Sequence, residues 1–146
     1  PFQGKHYQLA ETMCIPQPLS RPHPPILIGG QGEKKTLRMV AQYGQACNLF
    51  QMAGLDALRH KLGVLQQHCR DLGRDYDEIE KTTLGIFDPK EVNQFLENLH
   101  QLAEMGVDTA LIGVADPTDP KFYEVMGSQI IPQAAKLVSK GRTRPL

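Results

Sequence analysis

The sequence has no excess of charge of either sign: sixteen lysines and arginines balance sixteen aspartates and glutamates over 146 residues. Without a net field, nothing draws the chain towards nucleic acid or an anionic membrane surface. It also lacks any window approaching the ~18 apolar residues of a membrane span, and no charged-then-apolar leader precedes Phe2. Cysteine is scarce and odd in number. Cys14, Cys47 and Cys69 form no C-x-x-C pair, which argues against a disulfide framework or structural zinc and fits a reducing cytoplasm. No Ser-His-Asp or Cys-His set can be assembled, and no metal site is expected. His60 and His68 stand eight residues apart, about two turns, outside the i, i+4 spacing of a helical metal pair, so they read as a solvated face. His6, His23 and His100 have no ligand partners nearby. Cys47 reads as a small core residue, and the acids of "RDYDEIE" as turn and cap chemistry.

What is present is enough for a core. With 40% apolar and 22% charged residues, the chain falls within one ordinary globular domain. It begins at Pro1 rather than Met, so further sequence upstream is expected. The short basic end "KGRTRPL" reads as a frayed terminus rather than a binding arm.

Residues 1–24 form an irregular, proline-rich approach. Ile26 to Ile28 is too short an apolar run for a helix and is closed by Gly29 and Gly30, which predicts a buried strand. Leu37, Val40 and Ala41 follow at helical spacing from Glu33 to a stop at Gly44. "ACNLF", Ala46 to Phe50, is a second strand. Leu55, Leu58, Leu62, Leu65, Cys69 and Leu72 recur at steps of three and four, predicting a long amphipathic helix that ends at Gly73. "EKTTLGIF" gives a third strand. Asp88-Pro89-Lys90-Glu91 has the order of a capping box for a helix running to Gly106. "VDTALIGV", Val107 to Val114, gives a fourth strand, apolar enough for burial on both faces. Asp119-Pro120 opens a last helical region that Pro132 kinks or restarts. Strand-helix repeated four times implies a parallel α/β sheet. Either a small doubly wound sheet or half of a (β/α)8 TIM barrel satisfies it.

The stretch "PPILIGGQGEKKTL", Pro24 to Leu37, sets a glycine loop between strand and helix. Backbone N–H groups at such a helix start lack partners and can face an anion, yet the same residues also make a plain turn. The loop holds no Ser, Thr, Asp or Asn to cap those donors. Named nucleotide motifs fail, because Lys35 replaces the third glycine of G-x-G-x-x-G and Glu33 stands where a P-loop has glycine. Asn48 interrupts an apolar strand near its C-terminal end, where parallel α/β proteins place ligands. It reads equally as a pocket residue or as an inward Asn satisfied by backbone.

Taken in order, "FQGKHYQL", "PPILIGGQGEKKTLR", "ACNLF", "HCRDLGRDYDEIEKT" and "LAEMGVDTALIGV" resemble the C-terminal half of luciferase-like monooxygenases, nearest to the F420-dependent oxidoreductase branch. The resemblance spans nearly all of residues 1–146. It implies that the four strands are barrel strands five to eight, parallel and with outer helices, and that "FQGKHY" lies in the insertion before strand five. It further implies a cofactor phosphate near Gly29, Gly30, Gln31 and Gly32, with Asn48 facing the cofactor pocket and Thr36 a weaker candidate. F420 is the implied cofactor and FMN the alternative, with a small organic substrate and catalytic residues unassigned. The missing N-terminal half-barrel would complete the site; a non-catalytic half-barrel that homodimerises is the rival. Gly44-Gln45 replaces the Ala-Asp frequent in relatives, removing a carboxylate beside the loop.

Overall fold

The structure is a computed structural model and describes residues 1–140; the basic end from residue 141 onward lies outside the described residues. The chain opens with a short antiparallel hairpin, β1 (Phe2–Gln3) with β2 (Gln8–Leu9), closed by Gly4 N–H donating to the Tyr7 carbonyl at 2.8 Å. The approach that follows holds no regular element, and its apolar side chains are open to solvent, Leu19 at 99%. Beyond it come β3 (Leu27–Gly29), α1 (Thr36–Tyr43), β4 (Ala46–Phe50), a 3-10 turn at Gln51–Ala53 and α2 (Leu55–Asp71). Then come β5 (Glu80–Ile86), α3 (Val92–Glu104), β6 (Thr109–Gly113), α4 (Pro120–Val125), a π-helical turn at Met126–Ile130 and α5 (Ile131–Ala134).

β3, β4, β5 and β6 form one parallel sheet in chain order. Sequential order has a consequence for the helices. Right-handed crossovers between neighbours that never reverse direction all pass on the same side of the sheet, whereas a doubly wound sheet needs a reversal. Side-chain burial alternates accordingly. Ile28, Cys47, Leu49, Ala110 and Ile112 pack into the helix-covered core. Leu27, Phe50, Leu84, Ile86 and Leu111, on the opposite face, remain open, Leu27 at 53% and Ile86 at 69%.

The expected elements are present, with physical differences. α2 buries Leu58, Leu62, Leu65 and Cys69 on one stripe, each leucine contributing about 1.5–3 kcal/mol, and Gly73 (φ 65°) follows its end. Arg74 Nη1 donates to the Val40 and Ala41 carbonyls at 3.2 and 3.1 Å, capping the C-terminus of α1. Phe87 is buried beyond β5, with ring centroids 4.6 Å from Phe95 and 5.8 Å from Phe122, and so joins α3 and α4 to the sheet. α1 begins three residues later than Glu33, after a wide turn. The capping box at Asp88 does not form: Asp88 Oδ1 accepts the Lys90 N–H in a local turn, and α3 starts at Val92 without a side-chain cap. β3 and β6 are only partly buried, not sunk on both faces, because each is an edge strand and one face of the sheet is bare. Asp119 does cap α4, its carboxylate accepting the Lys121 N–H at 2.9 Å. Pro132 sits in the first turn of α5, directly after the π-turn, so the last region restarts there. No helix among the described residues is long and apolar enough to cross a membrane.

Candidate functional site

The glycine loop leaves the C-terminal end of β3. Gly30 adopts φ +123°, a backbone conformation that side-chain-bearing residues rarely take. That turn lets the Gly30 N–H donate to the Asn48 carbonyl at 3.1 Å, so one of the loop's donors is spent on the neighbouring strand. The loop closes through Leu37 N–H to the Gly32 carbonyl at 3.0 Å, a wide span that does not use the N–H groups between them. Gln31 braces it from the side, Nε2 donating to the Phe50 carbonyl at 2.8 Å.

Thr36 supplies a local reason for two of the glycines. A Cβ on Gly32 would lie 2.8 Å from Thr36 Oγ1, and one on Gly30 would lie 3.2 Å from Thr36 Cγ2. The threonine therefore occupies the space they leave. Gly29 differs, since a Cβ there would meet nothing within 4 Å. The open ground at the loop lies over Gly29, with the Thr36 hydroxyl at the side of Gly32.

Helix α2 holds the other side of the loop. The Glu33 carboxylate accepts from Lys61 Nζ and has His60 Nε2 at 3.3 Å. The Lys61 ammonium holds that carboxyl below its ordinary range. His68 Nε2 donates to the Glu33 carbonyl at 2.8 Å, while its Nδ1 is buried without a partner among the described residues. Both histidines reach one loop residue: His60 does so from the solvated face expected of it, its side chain 63% exposed, whereas His68 is half-buried. Their eight-residue spacing is two turns along α2, enough to touch the two ends of Glu33 but not to share a metal. Among the described residues no group of three His, Cys, Asp or Glu side chains gathers for a metal ion.

Asn48 lies on the bare face of the sheet, 8% exposed. Its Nδ2 donates to Thr82 Oγ1 at 2.8 Å, and that hydroxyl donates on to the Cys47 carbonyl at 2.8 Å. Register aligns Gly29, Asn48, Thr82 and Thr109 in one row across all four strands. Thr109 donates to Glu80 at 2.9 Å. This makes a polar band, and towards the strands' C-terminal ends Phe50, Leu84 and Leu111 follow as an apolar one. The satisfying partner of Asn48 is thus a threonine hydroxyl rather than backbone. Thr82 and Thr109 went unread because threonine is also an ordinary strand former; the signal was alternation in "EKTTLGI", which puts residues 80 and 82 on the face of Asn48.

Gln45, where the resemblance leads one to expect an acid, accepts the Ile26 N–H with its Oε1 at 2.8 Å, and its own N–H donates to the Ile26 carbonyl at 2.8 Å. The Gln45 side-chain amide and backbone together clamp the residue before β3. Cys47 is fully buried, and burial pushes its thiol up to about 11. It stays protonated at neutral pH, as a core residue would. One group had no sequence signal. Lys81, inside β5, is 0% exposed; its Nζ has no hydrogen-bond partner among the described residues and lies 4.4 Å from the centroid of the Tyr76 ring.

No protein-family model matches the chain, and no curated protein matches it.

Proposed function

We propose that the chain is the C-terminal half of a luciferase-like (β/α)8 oxidoreductase, contributing a cofactor-phosphate site for hydride transfer with F420. The observation that carries this reading is the sequential parallel sheet with its helices on one side, which leaves Leu27, Phe50, Leu84, Ile86 and Leu111 bare. Four further strands of the same kind would close the sheet and turn this face into a barrel interior. In such a barrel the ligand site gathers at the C-terminal ends of the strands. The Gly29–Gly32 loop stands there.

The residues present suit a phosphate in particular ways. Gly29 leaves open space, the Thr36 hydroxyl stands beside Gly32, and the wide turn leaves loop N–H groups outside its closure. Lys61 and His60 occupy the Glu33 carboxylate, so the loop's one acid is turned to α2 and away from an incoming anion. F420, when bound, supplies the hydride chemistry. Gln31 and Asn48 then act as braces of the cup, and the Phe50–Leu84–Leu111 band excludes water behind the ring.

Fluorescence titration with F420 and with FMN, of the chain alone and mixed with a supplied N-terminal half-barrel, tests the proposal. The mixture should bind F420 more tightly than FMN and more tightly than the chain alone. If the mixture binds neither, the oxidoreductase reading fails; tighter FMN binding would make it the flavin-using relative. A second reading, a non-catalytic module pairing its two open edges with a second copy, draws on the same bare face. A dimer by sedimentation that ignores the N-terminal half would favour it.

A further inference from the structure

The helix-covered side of the sheet contains a cavity that the candidate cofactor site does not use. It lies between α3, β6 and the α4–α5 region and has a volume of about 250 Å³. Leu102, Val107 and Ile130 form its buried walls, and Ala103, Ala110 and Ala134 leave room where larger side chains would fill it. The cavity is a half-open pocket, with Ile131 exposed at its rim; an enclosed apolar cavity of ~150 Å³ takes up benzene. By proportion this one accommodates about ten non-hydrogen atoms. Its wall includes Met126 and Ile130, which begin and end the π-helical turn; such turns recur at ligand sites. The unbranched Met126 side chain can adjust to an occupant.

One end is polar and of one kind. Asp108 lines the cavity, its Oδ2 accepting the Lys81 N–H at 2.9 Å and its Oδ1 accepting from the Ser139 hydroxyl at 3.1 Å. A carboxylate offers further acceptor lone pairs. It welcomes a hydrogen-bond donor and repels an anion. We infer that this cavity binds a small apolar molecule ending in a hydroxyl, in size and chemistry a medium-chain aliphatic alcohol.

The test is calorimetric titration of the purified chain with 1-octanol, together with NMR of the alanine methyl groups. Saturable one-site binding is expected, with shifts centred on Ala103, Ala110 and Ala134. Octanoate, which has the same chain length but brings a charge to Asp108, should bind at least tenfold more weakly. Ala110→Phe, filling the cavity from its floor, should weaken octanol binding at least tenfold. If that variant does not fold, Ala134→Phe fills the cavity from the helical side. The inference is overturned if octanol binding does not saturate, if the folded filled variant binds octanol equally well, or if octanoate binds as tightly. It is also overturned if filling the cavity changes the oligomeric state, because the cavity would then be an interface.

Discussion

Replacing Lys81 by methionine should make the protein more stable. The lysine side chain is 1% exposed and its ammonium has no hydrogen-bond partner among the described residues. Taking such a charge out of water costs several kcal/mol even after relaxation. Two contacts oppose that cost. The ammonium lies 4.4 Å from the centre of the Tyr76 ring, worth about 2 kcal/mol when desolvated. Asp77 Oδ1 is 3.9 Å away, beyond hydrogen-bond reach, and that side chain is 58% exposed, which limits the pair to roughly 1 kcal/mol or less. The remaining deficit is on the order of 1–3 kcal/mol. Methionine preserves most of the stem and its packing against Tyr76, so Lys81→Met should recover most of it. Urea unfolding should show a higher midpoint with unchanged slope, and Tm should rise by about 4–8 °C for ~2 kcal/mol at this chain length. Tyr76→Leu should then be less harmful in the methionine background than in the lysine one, by about 1–2 kcal/mol. A Lys81→Met variant destabilised by ~1 kcal/mol or more would refute the reasoning and make the ammonium a net stabiliser of the core.

Gly29→Val, placed in open space, should change the unfolding free energy from urea melts by no more than ~0.5 kcal/mol and weaken cofactor binding at least tenfold; unchanged affinity would reduce the loop to a turn. Gly30→Val is the poorer probe, because φ +123° strains any side chain and folding would suffer first. On the alkaline side, Cys47 is raised from 9.0 to about 11 by burial. Its stabilisation is complete below pH 9 and lost as pH rises towards 11, about 3 kcal/mol at most; Cys47→Ala should flatten that limb in pH-dependent urea melts, and an unchanged slope would count against it. On the acid side, Glu33 is lowered from 4.5 chiefly by its hydrogen bond from Lys61. Its contribution is present above pH 4.5 and disappears as pH falls through the lowered value, so Lys61→Gln should reduce the loss of stability between pH 5 and pH 3, read by the same melts. Gly85→Ala would push a methyl into the Gln51 amide, which now donates to Thr83 Oγ1 at 2.9 Å. A loss of about 1 kcal/mol is expected, and Gln51→Ala should largely remove the difference between Gly and Ala at position 85.

Periodicity sufficed for the strands and helices between Leu27 and Gly113, but not for the Phe2–Leu9 hairpin, which lies in the stretch expected to be irregular, nor for the π-turn. The leucines of α2 recur at three and four residues, and the strand "ACNLF" has the bounds its apolar run implies. Burial of the edge strands was less legible, since Val107 to Val114 reads as apolar whether its second face meets protein or water. The capping box failed for a related reason: Asp88 can satisfy its own turn two residues on, and local sequence does not say which N–H it will take. At the candidate site, the position of the glycine loop followed from strand-then-glycine order. The partners did not, because Lys61, His60 and His68 reach Glu33 only once α2 packs on α1. Lys81 left no trace at all. A lysine between Glu80 and Thr82 in a strand looks solvent-facing until the helix-side parity of Cys47 and Leu49 fixes it inward.

The unreversed order of the sheet also bears on how the chain acquires its structure. Each strand pairs with the one made just before it: Leu27 with Ala46, Ala46 with Glu80, Thr82 with Thr109. Among these four strands none waits for a distant segment, so each step closes a single strand–helix unit, at a lower entropic cost than pairing β3 with β6 would carry. A chain emerging from a ribosome can add one strand and its helix at a time to a growing edge, in the order of synthesis, with β6 the last of the four to be placed.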